Sequence, residues 1–206
     1  MARRQPAAPR GGAETRRRIA VEAARLIAEG GLRDYHEAKC KAARRLGVPD
    51  AAALPRNLEI EEALREHQRL FQADAQPRQL RRLREAAVEA MRFLARFEPR
   101  LVGPVLEGTA DEHSGVRLHL FADDIREVLV FLDGHGIPYD EETRLLALDA
   151  AREIEVPALL LAADGIAVEL MVFGHDGLHH APLDRVTRKP MRRAGRAAVE
   201  ELIAAA

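Results

Sequence analysis

A glycine turn, an acidic pair and two short apolar runs lie together at residues 101–124, and a small α/β site can be built from these residue types. The two runs enclose Gly108-Thr109 and a polar loop, and Asp123-Asp124 then begins what the pattern predicts to be a helix. A glycine in such a turn lets backbone amides approach phosphate closely. The stretch therefore predicts a small site in which a turn, a strand and a helix start lie close together.

The elements that must position this site follow from the hydrophobic period, which changes from that of helices to that of strands after residue 100. The first half predicts four helices, at about 14–30, 34–46, 59–71 and 77–97. The second half predicts strands at 101–107, 115–121, 143–148, 155–161 and 167–173, and helices at 124–134 and 196–203. Asp164-Gly165 between two apolar runs predicts a hairpin.

These elements predict an α+β protein made of three parts. Residues 1–13 have no periodicity and are predicted to be a disordered arm. Residues 14–98 are predicted to form a helical module, and residues 101–206 a small domain with a mixed sheet.

The order of the C-terminal elements resembles the nucleotidyltransferase superfamily. The Gly108-Thr109 turn after a first strand, the strand Val116–Phe121, a helix and a later strand with Glu169 carry the resemblance. In that family an Asp-x-Asp pair on the second strand and a third carboxylate on a later strand hold Mg²⁺ on a nucleoside triphosphate. The resemblance implies that Gly108 and Thr109 contact the nucleotide and that Glu169 is the third carboxylate.

The sequence departs from the family at the two principal metal ligands, because the Asp-x-Asp positions are Gly115 and Arg117. An arginine in place of a carboxylate inverts the local charge and repels Mg²⁺, so no metal ligand is assigned. We expect Arg117 and Glu169 to pair on adjacent strands, with the guanidinium in place of the metal, and His119 to share their face. The residues assigned to the former catalytic centre are therefore Glu169, Arg117 and His119.

The predicted function is that of a degenerate nucleotidyltransferase-like protein that binds a nucleotide or nucleic acid without turnover. One alternative is active Mg²⁺-dependent transfer from a nucleoside triphosphate, with substitute carboxylates among Asp111, Glu112, Asp123 and Asp124. A basic run at residues 185–196 could hold phosphate, which makes Arg192 and Arg193 candidate nucleotide contacts, or it could pack against the acidic sheet domain. A further cluster could bind a metal or form a solvated loop: His175, Asp176, His179 and His180.

The first two helices resemble the opening of a tetracycline-repressor-like helix-turn-helix domain, through TRRRIAVEAARLIAEGGL and AKCKAARRLGV. A recognition helix should follow within a few residues. The chain has PDAAALPRN at that point, which predicts a proline-bounded loop. A helical DNA-binding regulator with a C-terminal sensor domain is therefore kept as another alternative.

Charge and composition narrow the class of protein. Residues 1–100 hold 22 basic and 14 acidic side chains, a net charge of +8, whereas residues 101–206 hold 10 and 19, a net charge of −9. The basic half could meet nucleic acid, or the two halves could attract each other or a neighbouring subunit. The longest apolar run, Val156–Ala163, is far shorter than the roughly 20 residues of a membrane-spanning helix, so no membrane partner is expected. With a single cysteine, Cys40, and no secretory signal pattern, a cytoplasmic location is expected.

Overall fold

A computed structural model describes residues 10–32, 34–48, 54–71, 75–149 and 151–205. The chain forms two compact units, Met1–Gln72 and Ala73–Ala206, of which the first is helical and the second contains a five-stranded sheet. The predicted α+β class with an N-terminal helical part is confirmed. Of the predicted arm, residues 1–9 lie outside the described residues, and the first helix already begins at Arg10. In the described part of the chain, no helix is both long and apolar enough to cross a membrane.

The first unit consists of three helices: α1 (Arg10–Gly30), α2 (Tyr35–Arg45) and α3 (Asn57–Phe71). Both α2 and α3 pack against α1, whose buried stripe includes Ile19 and Ala23. Helix α2 begins after Asp34, whose carboxylate accepts a hydrogen bond from the Glu37 amide at 2.8 Å and so satisfies one open donor of the first turn. The predicted Pro-bounded loop lies partly outside the described residues, at 49–53.

The boundary between the units lies earlier than the sequence indicated. Helix α4 (Ala75–Phe93), which was predicted to end the helical module, belongs to the second unit. Its residues Leu83, Ala87 and Met91 are almost fully buried in the same core as the sheet. Helical periodicity reveals that a helix has an apolar face but not which element covers that face. The sheet needs a helical layer on one side, and α4 supplies part of it.

The second unit has a mixed sheet with the strand order β1-β2-β5-β4-β3. Strands β2 and β5 are parallel, and all other neighbours are antiparallel. The predicted hairpin joins β4 to β5, with φ of 49° at Asp164 and 74° at Gly165, as a turn with two left-handed residues requires. The elements after α4 are β1 (Arg100–Val102), α5 (Pro104–Glu107), β2 (Val116–Phe121), α6 (Ile125–Gly134), β3 (Asp140–Ala147), β4 (Glu153–Ala163), β5 (Ile166–Phe173) and α7 (Arg196–Ala204).

The first strand is shorter than predicted. It ends at Val102, and the rest of the predicted strand 101–107 forms the one-turn helix α5. Gly103 adopts φ 73° and ψ −156°, a conformation that is open to glycine alone, and Pro104 then occupies the first helical turn, where its missing amide hydrogen is not needed. These two residues turn the chain out of the sheet.

The two faces of the sheet have different environments. One face, which includes Leu118 and Leu170, packs into the main core with residues of α4, α6 and α7. The other face carries Arg117, His119 and Phe121 of β2, because alternate residues of a strand point to the same side. Residues 174–194, which we call the crossing segment, bond to the end of β3 and then to β1 and cover part of this second face. The part of the second face that the crossing segment leaves uncovered, around Arg117, is hereafter called the open face.

Candidate functional site

Arg117 and Glu169 meet on the open face, as the sequence predicted. They are direct partners in the parallel register of β2 and β5, and Arg117 Nε lies 3.0 Å from Glu169 Oε2. The carboxylate is largely buried, with 14% of its side chain exposed, whereas 38% of the Arg117 side chain is exposed. The pair therefore has its anion set into the sheet and its cation facing solvent.

A second guanidinium holds the other oxygen of the same carboxylate. Arg144 of β3 reaches across β4, and its Nε lies 2.6 Å from Glu169 Oε1. Arg144 also pairs through Nη1 with Glu142 on its own strand. The hydrogen bond to Glu169 raises the pKa of Arg144 above its ordinary value, although desolvation opposes the rise. Two cations and two carboxylates thus form one network, hereafter the Glu169 network, which comprises Arg117, Arg144, Glu142 and Glu169.

Arg144 is not among the site residues predicted from the sequence. Glu142 and Arg144 are two residues apart, which would place both side chains on one face of a strand, but Glu142 lies just before the predicted strand 143–148. Their approach to Glu169 depends on the strand order, in which β3 lies two positions from β5. That order is set by long-range pairing and cannot be derived from a local pattern.

Gly115, which the resemblance places at the first metal-ligand position, has no room for a side chain. A Cβ atom at Gly115 would lie 2.6 Å from the carbonyl oxygen of Ala167 and 3.2 Å from the Ala167 Cβ. The first distance is far shorter than a normal contact, and a backbone carbonyl cannot rotate away. A carboxylate at this position is therefore incompatible with the present approach of the chain before β2 to β5.

Three of the four acids considered as substitute metal ligands, Asp111, Asp123 and Asp124, are used in local structure. Asp111 accepts hydrogen bonds from the His113 amide and the Ser114 hydroxyl, and Asp123 accepts one from the His175 amide. Asp124 caps α6 and pairs with Arg126, an interaction that lowers the pKa of Asp124. Among the residues that the structure describes, no three His, Cys, Asp or Glu side chains are grouped so that they could hold a metal ion.

The Gly108-Thr109 turn does not follow a strand, contrary to the prediction, and its amides are already engaged. Gly108 ends α5 in the left-handed conformation, and the amides of Gly108 and Thr109 both donate to the carbonyl oxygen of Pro104, at 2.9 and 3.0 Å. The carbonyl of Gly108 accepts a hydrogen bond from Gln76 Nε2 at 3.0 Å. The turn thus closes a helix and anchors α4, and its amides do not point at an open phosphate site.

His119 lies on the predicted face, but the crossing segment covers it. Its side chain is fully buried, and its Nδ1 accepts a hydrogen bond of 2.9 Å from Arg193 Nε. Desolvation, together with the nearby charge of Arg193, lowers the pKa of His119 to about 3. His119 is therefore neutral at ordinary pH. Within the described residues, His119 Nε2 and Arg193 Nη2 are buried without a hydrogen-bond partner.

Arg193 binds the crossing segment to the sheet. Its guanidinium donates to the carbonyl of Gly177 and lies over the rings of Phe121 and Phe173, at 5.1 and 5.2 Å from their centroids. Desolvation, with a smaller contribution from the charge of Arg100, lowers the pKa of Arg193 to about 10. Arg193 is consequently not available to contact a nucleotide in this conformation, contrary to the role suggested by the sequence.

The other predicted contacts are dispersed. Arg192 pairs with Glu107 of α5 at 3.1 Å and is mostly exposed. The histidine-rich loop contains a short 3₁₀ turn, His175–Leu178, and shortly after it His180 Nδ1 lies 3.1 Å from the carbonyl of Asp176. The structure therefore brings together Arg117 and Glu169 but separates them from Gly108, Thr109 and Arg192.

No family model matches this chain, and no curated protein is significantly similar to it.

Proposed function

We propose that the second unit is a nucleotidyltransferase-like domain that no longer transfers nucleotides and instead binds a nucleotide through its phosphates on the open face. The observation that carries this proposal is the double occupation of Glu169 by Arg117 and Arg144. A carboxylate with both oxygens bound to guanidinium groups is not a ligand that a divalent cation can use without breaking two ion pairs.

The loss of transfer is supported by the geometry of the neighbouring positions. Metal-dependent phosphoryl chemistry needs at least two convergent carboxylates to hold Mg²⁺. Gly115 has no space for a carboxylate, and Arg117 puts a positive charge at the other ligand position. Arg117 and Arg144 neutralise Glu169 in place of a metal ion.

Phosphate binding is supported by the same two arginines. Their side chains are about one-third exposed, so the guanidinium groups reach the surface while the carboxylate beneath fixes their positions. Arginine offers five donors in a planar fork that suits phosphate oxygens. Arg144 uses Nε and Nη1 for carboxylates, which leaves Nη2 to meet a ligand. Because this contact needs no metal ion, nucleotide binding should persist when a chelator replaces Mg²⁺.

The test is thermal stability of the full chain with each nucleoside triphosphate, in Mg²⁺ and in a chelator. A ligand present at about 100 times its dissociation constant adds about 2.7 kcal/mol to the free energy of unfolding, which is a measurable shift. We expect a shift of similar size in both conditions, and we expect Arg144→Ala to abolish it. Arg152→Ala is the matched control, because Arg152 is an exposed arginine paired with an aspartate elsewhere on the second unit.

The possible outcomes separate the candidate functions. A shift that requires Mg²⁺ would support active transfer with substitute carboxylates and contradict a metal-free contact. A shift that survives Arg144→Ala would place the nucleotide elsewhere on the chain. The absence of a shift with every nucleotide, in both conditions, would refute nucleotide binding on the open face.

A further inference from the structure

The residues of the basic run, 185–196, have different surroundings in the structure. No acidic residue occurs from residue 185 to residue 199, within a C-terminal half whose net charge is −9. Arg192 pairs with Glu107, Arg193 is buried against His119, and Arg196 lies 3.7 Å from Glu200. Packing against acidic residues thus accounts for only part of this run.

Arg188 and Lys189 differ from these residues. Both are exposed, and within the described part of the chain neither has a carboxylate within ion-pairing distance. They lie with Arg185 on a tight loop, residues 184–190, which we call the basic loop. A hydrogen bond from the Leu183 amide to the carbonyl of Ala147 ties the start of the loop to the end of β3, and a β-bridge between Leu183 and Pro190 joins the two ends of the loop.

The backbone of the basic loop is organised by Asp184. One oxygen of its carboxylate accepts hydrogen bonds from the amides of Val186 and Thr187, at 3.0 and 2.7 Å, and from the Thr187 hydroxyl at 3.0 Å. The Asp184 backbone also bonds to the amide of Arg188 and the carbonyl of Lys189. The carboxylate of Asp184, the only one in the loop, is therefore engaged by donors of the loop itself, whereas Arg188 and Lys189 are exposed.

Arg188 is held in a conformation that its side chain disfavours. Its φ is 59°, in the left-handed region that glycine and asparagine usually occupy. Such a residue costs of order 1 kcal/mol and persists only where surrounding bonds impose it. The bonds to Asp184 do so here. The basic loop is thus a preorganised turn that presents the exposed cations Arg188 and Lys189, and preorganisation reduces the entropy lost on binding.

We infer that the basic loop binds the phosphate backbone of a nucleic acid. The loop is a surface turn whose cations are exposed, so a small anion would stay largely solvated there. A polyanion gains from such a surface through the release of its condensed counterions and needs no enclosure. This inference does not depend on nucleotide binding at the open face.

The experiment measures binding of the full chain to a labelled oligonucleotide, as single-stranded RNA and as duplex DNA, by fluorescence anisotropy over a series of KCl concentrations. The double variant Arg188→Ala/Lys189→Ala removes two phosphate contacts. We expect affinity to fall by about tenfold and the slope of log K against log salt to become shallower by about 1.5. The charge-matched control is Arg126→Ala/Arg152→Ala, two exposed arginines of the same unit, for which we expect less than a twofold change.

A second variant separates preorganisation from simple charge. Asp184→Ala removes a negative charge next to the cations, so electrostatics alone predicts tighter binding to nucleic acid. If the loop binds as an organised turn, Asp184→Ala weakens binding by several-fold even though the net charge becomes more positive. Circular dichroism and the melting temperature establish that the variant is folded.

Three results would overturn the inference. Binding by the double variant equal to that of the parent chain would assign nucleic acid to another surface, such as the basic N-terminal half. An equal loss of affinity in the control variant would show that the effect comes from net charge alone. Tighter binding by Asp184→Ala would show that the organised turn is not needed for binding. A failure of nucleotide binding at Arg144 would leave all of these measurements unaffected.

Discussion

Arg117 and Glu169 occupy directly opposed positions on the parallel strands β2 and β5, and their side chains are joined at 3.0 Å. The two strands are distant in sequence, because more than forty residues, which include a helix and a hairpin, lie between them. A cation on β2 therefore stands over the one carboxylate that the resemblance assigns to the former metal centre. With Arg144 on the opposite oxygen, Glu169 becomes the centre of an ion network.

Neutralising Glu169 should lower the free energy of unfolding more than neutralising Glu142, the other carboxylate of the Glu169 network. Glu169→Gln leaves Arg117 and Arg144 close together without the shared anion, and we expect a loss of about 2 kcal/mol, between the values for exposed and buried pairs. Glu142→Gln removes a more exposed carboxylate and should cost less than about 0.5 kcal/mol. Urea unfolding at neutral pH, compared at unchanged m-value, measures both. Equal losses would show that Glu169 does not hold the network together.

Adding a side chain at residue 115 should be destabilising, whatever its charge. Gly115→Ala puts a methyl group against the Ala167 carbonyl, and we expect a loss of about 1–3 kcal/mol from overpacking. Gly134→Ala is the control, because no atom lies within 4 Å of a Cβ there. Gly115→Asp should be at least as unstable and should show no stabilisation by Mg²⁺ in a thermal melt. A magnesium-dependent rise in its melting temperature would contradict this expectation and show that an aspartate at residue 115 can contribute to a metal site.

The sequence predicted the Arg117–Glu169 pair because only two facts were needed: the alternation of side chains on strands and the adjacency of β2 and β5, which the family resemblance implied. It could not predict Arg144, since the order of strands β3 and β4 depends on pairing between distant segments. The expectation that a strand leads into the Gly108-Thr109 turn was wrong for a local reason. Pro104 converts the end of the predicted strand into a helical turn whose carbonyl captures their amides.

Burial caused the other misassignments. Arginine is usually exposed and histidine is of intermediate burial, and nothing in the spacing indicates that Arg193 of the crossing segment packs against a buried His119. Arg192 and Arg193 are adjacent in sequence, yet one pairs with Glu107 and the other lies between Phe121 and Phe173. Adjacent residues differ in this way because the crossing segment is irregular, and the sequence has no hydrophobic periodicity there from which its path could be predicted.

The buried His119 should make stability fall in acid. Its pKa is about 3 in the folded chain and about 6.5 in the unfolded chain, so between these values the unfolded state binds a proton that the folded state does not. Stability is therefore lost as pH falls through this window, by up to about 1.4 kcal/mol per pH unit from this residue. His119→Asn keeps an acceptor for Arg193 but cannot titrate. Urea unfolding between pH 7 and pH 4 should give a steeper decline for the parent chain than for this variant, and parallel declines would contradict the assignment.

Arg84 should stabilise the second unit through backbone carbonyls alone. It is a buried residue of α4, and its guanidinium donates to the carbonyls of Val105 in α5 and Leu202 in α7. Desolvation lowers its pKa, but an arginine stays charged at neutral pH. Arg84→Met should cost about 1–3 kcal/mol, because two buried acceptors lose their donor. Arg82→Met, an exposed neighbour on α4, should be near neutral, and hydrogen exchange should show faster opening of α7 only in the Arg84 variant.

The position of the domain boundary predicts which fragments fold. A fragment of residues 73–206 retains α4 and should give a cooperative melt and a dispersed amide spectrum. A fragment of residues 101–206 lacks Leu83, Ala87 and Met91, so the inner face of the sheet, with Leu118 and Leu170, would lose its helical cover. Exposure of that much apolar surface should leave the shorter fragment aggregated or molten, with strong binding of a hydrophobic dye. Cooperative unfolding of the shorter fragment would instead show that α4 is dispensable and that the second unit begins near residue 101, as its strand pattern first indicated.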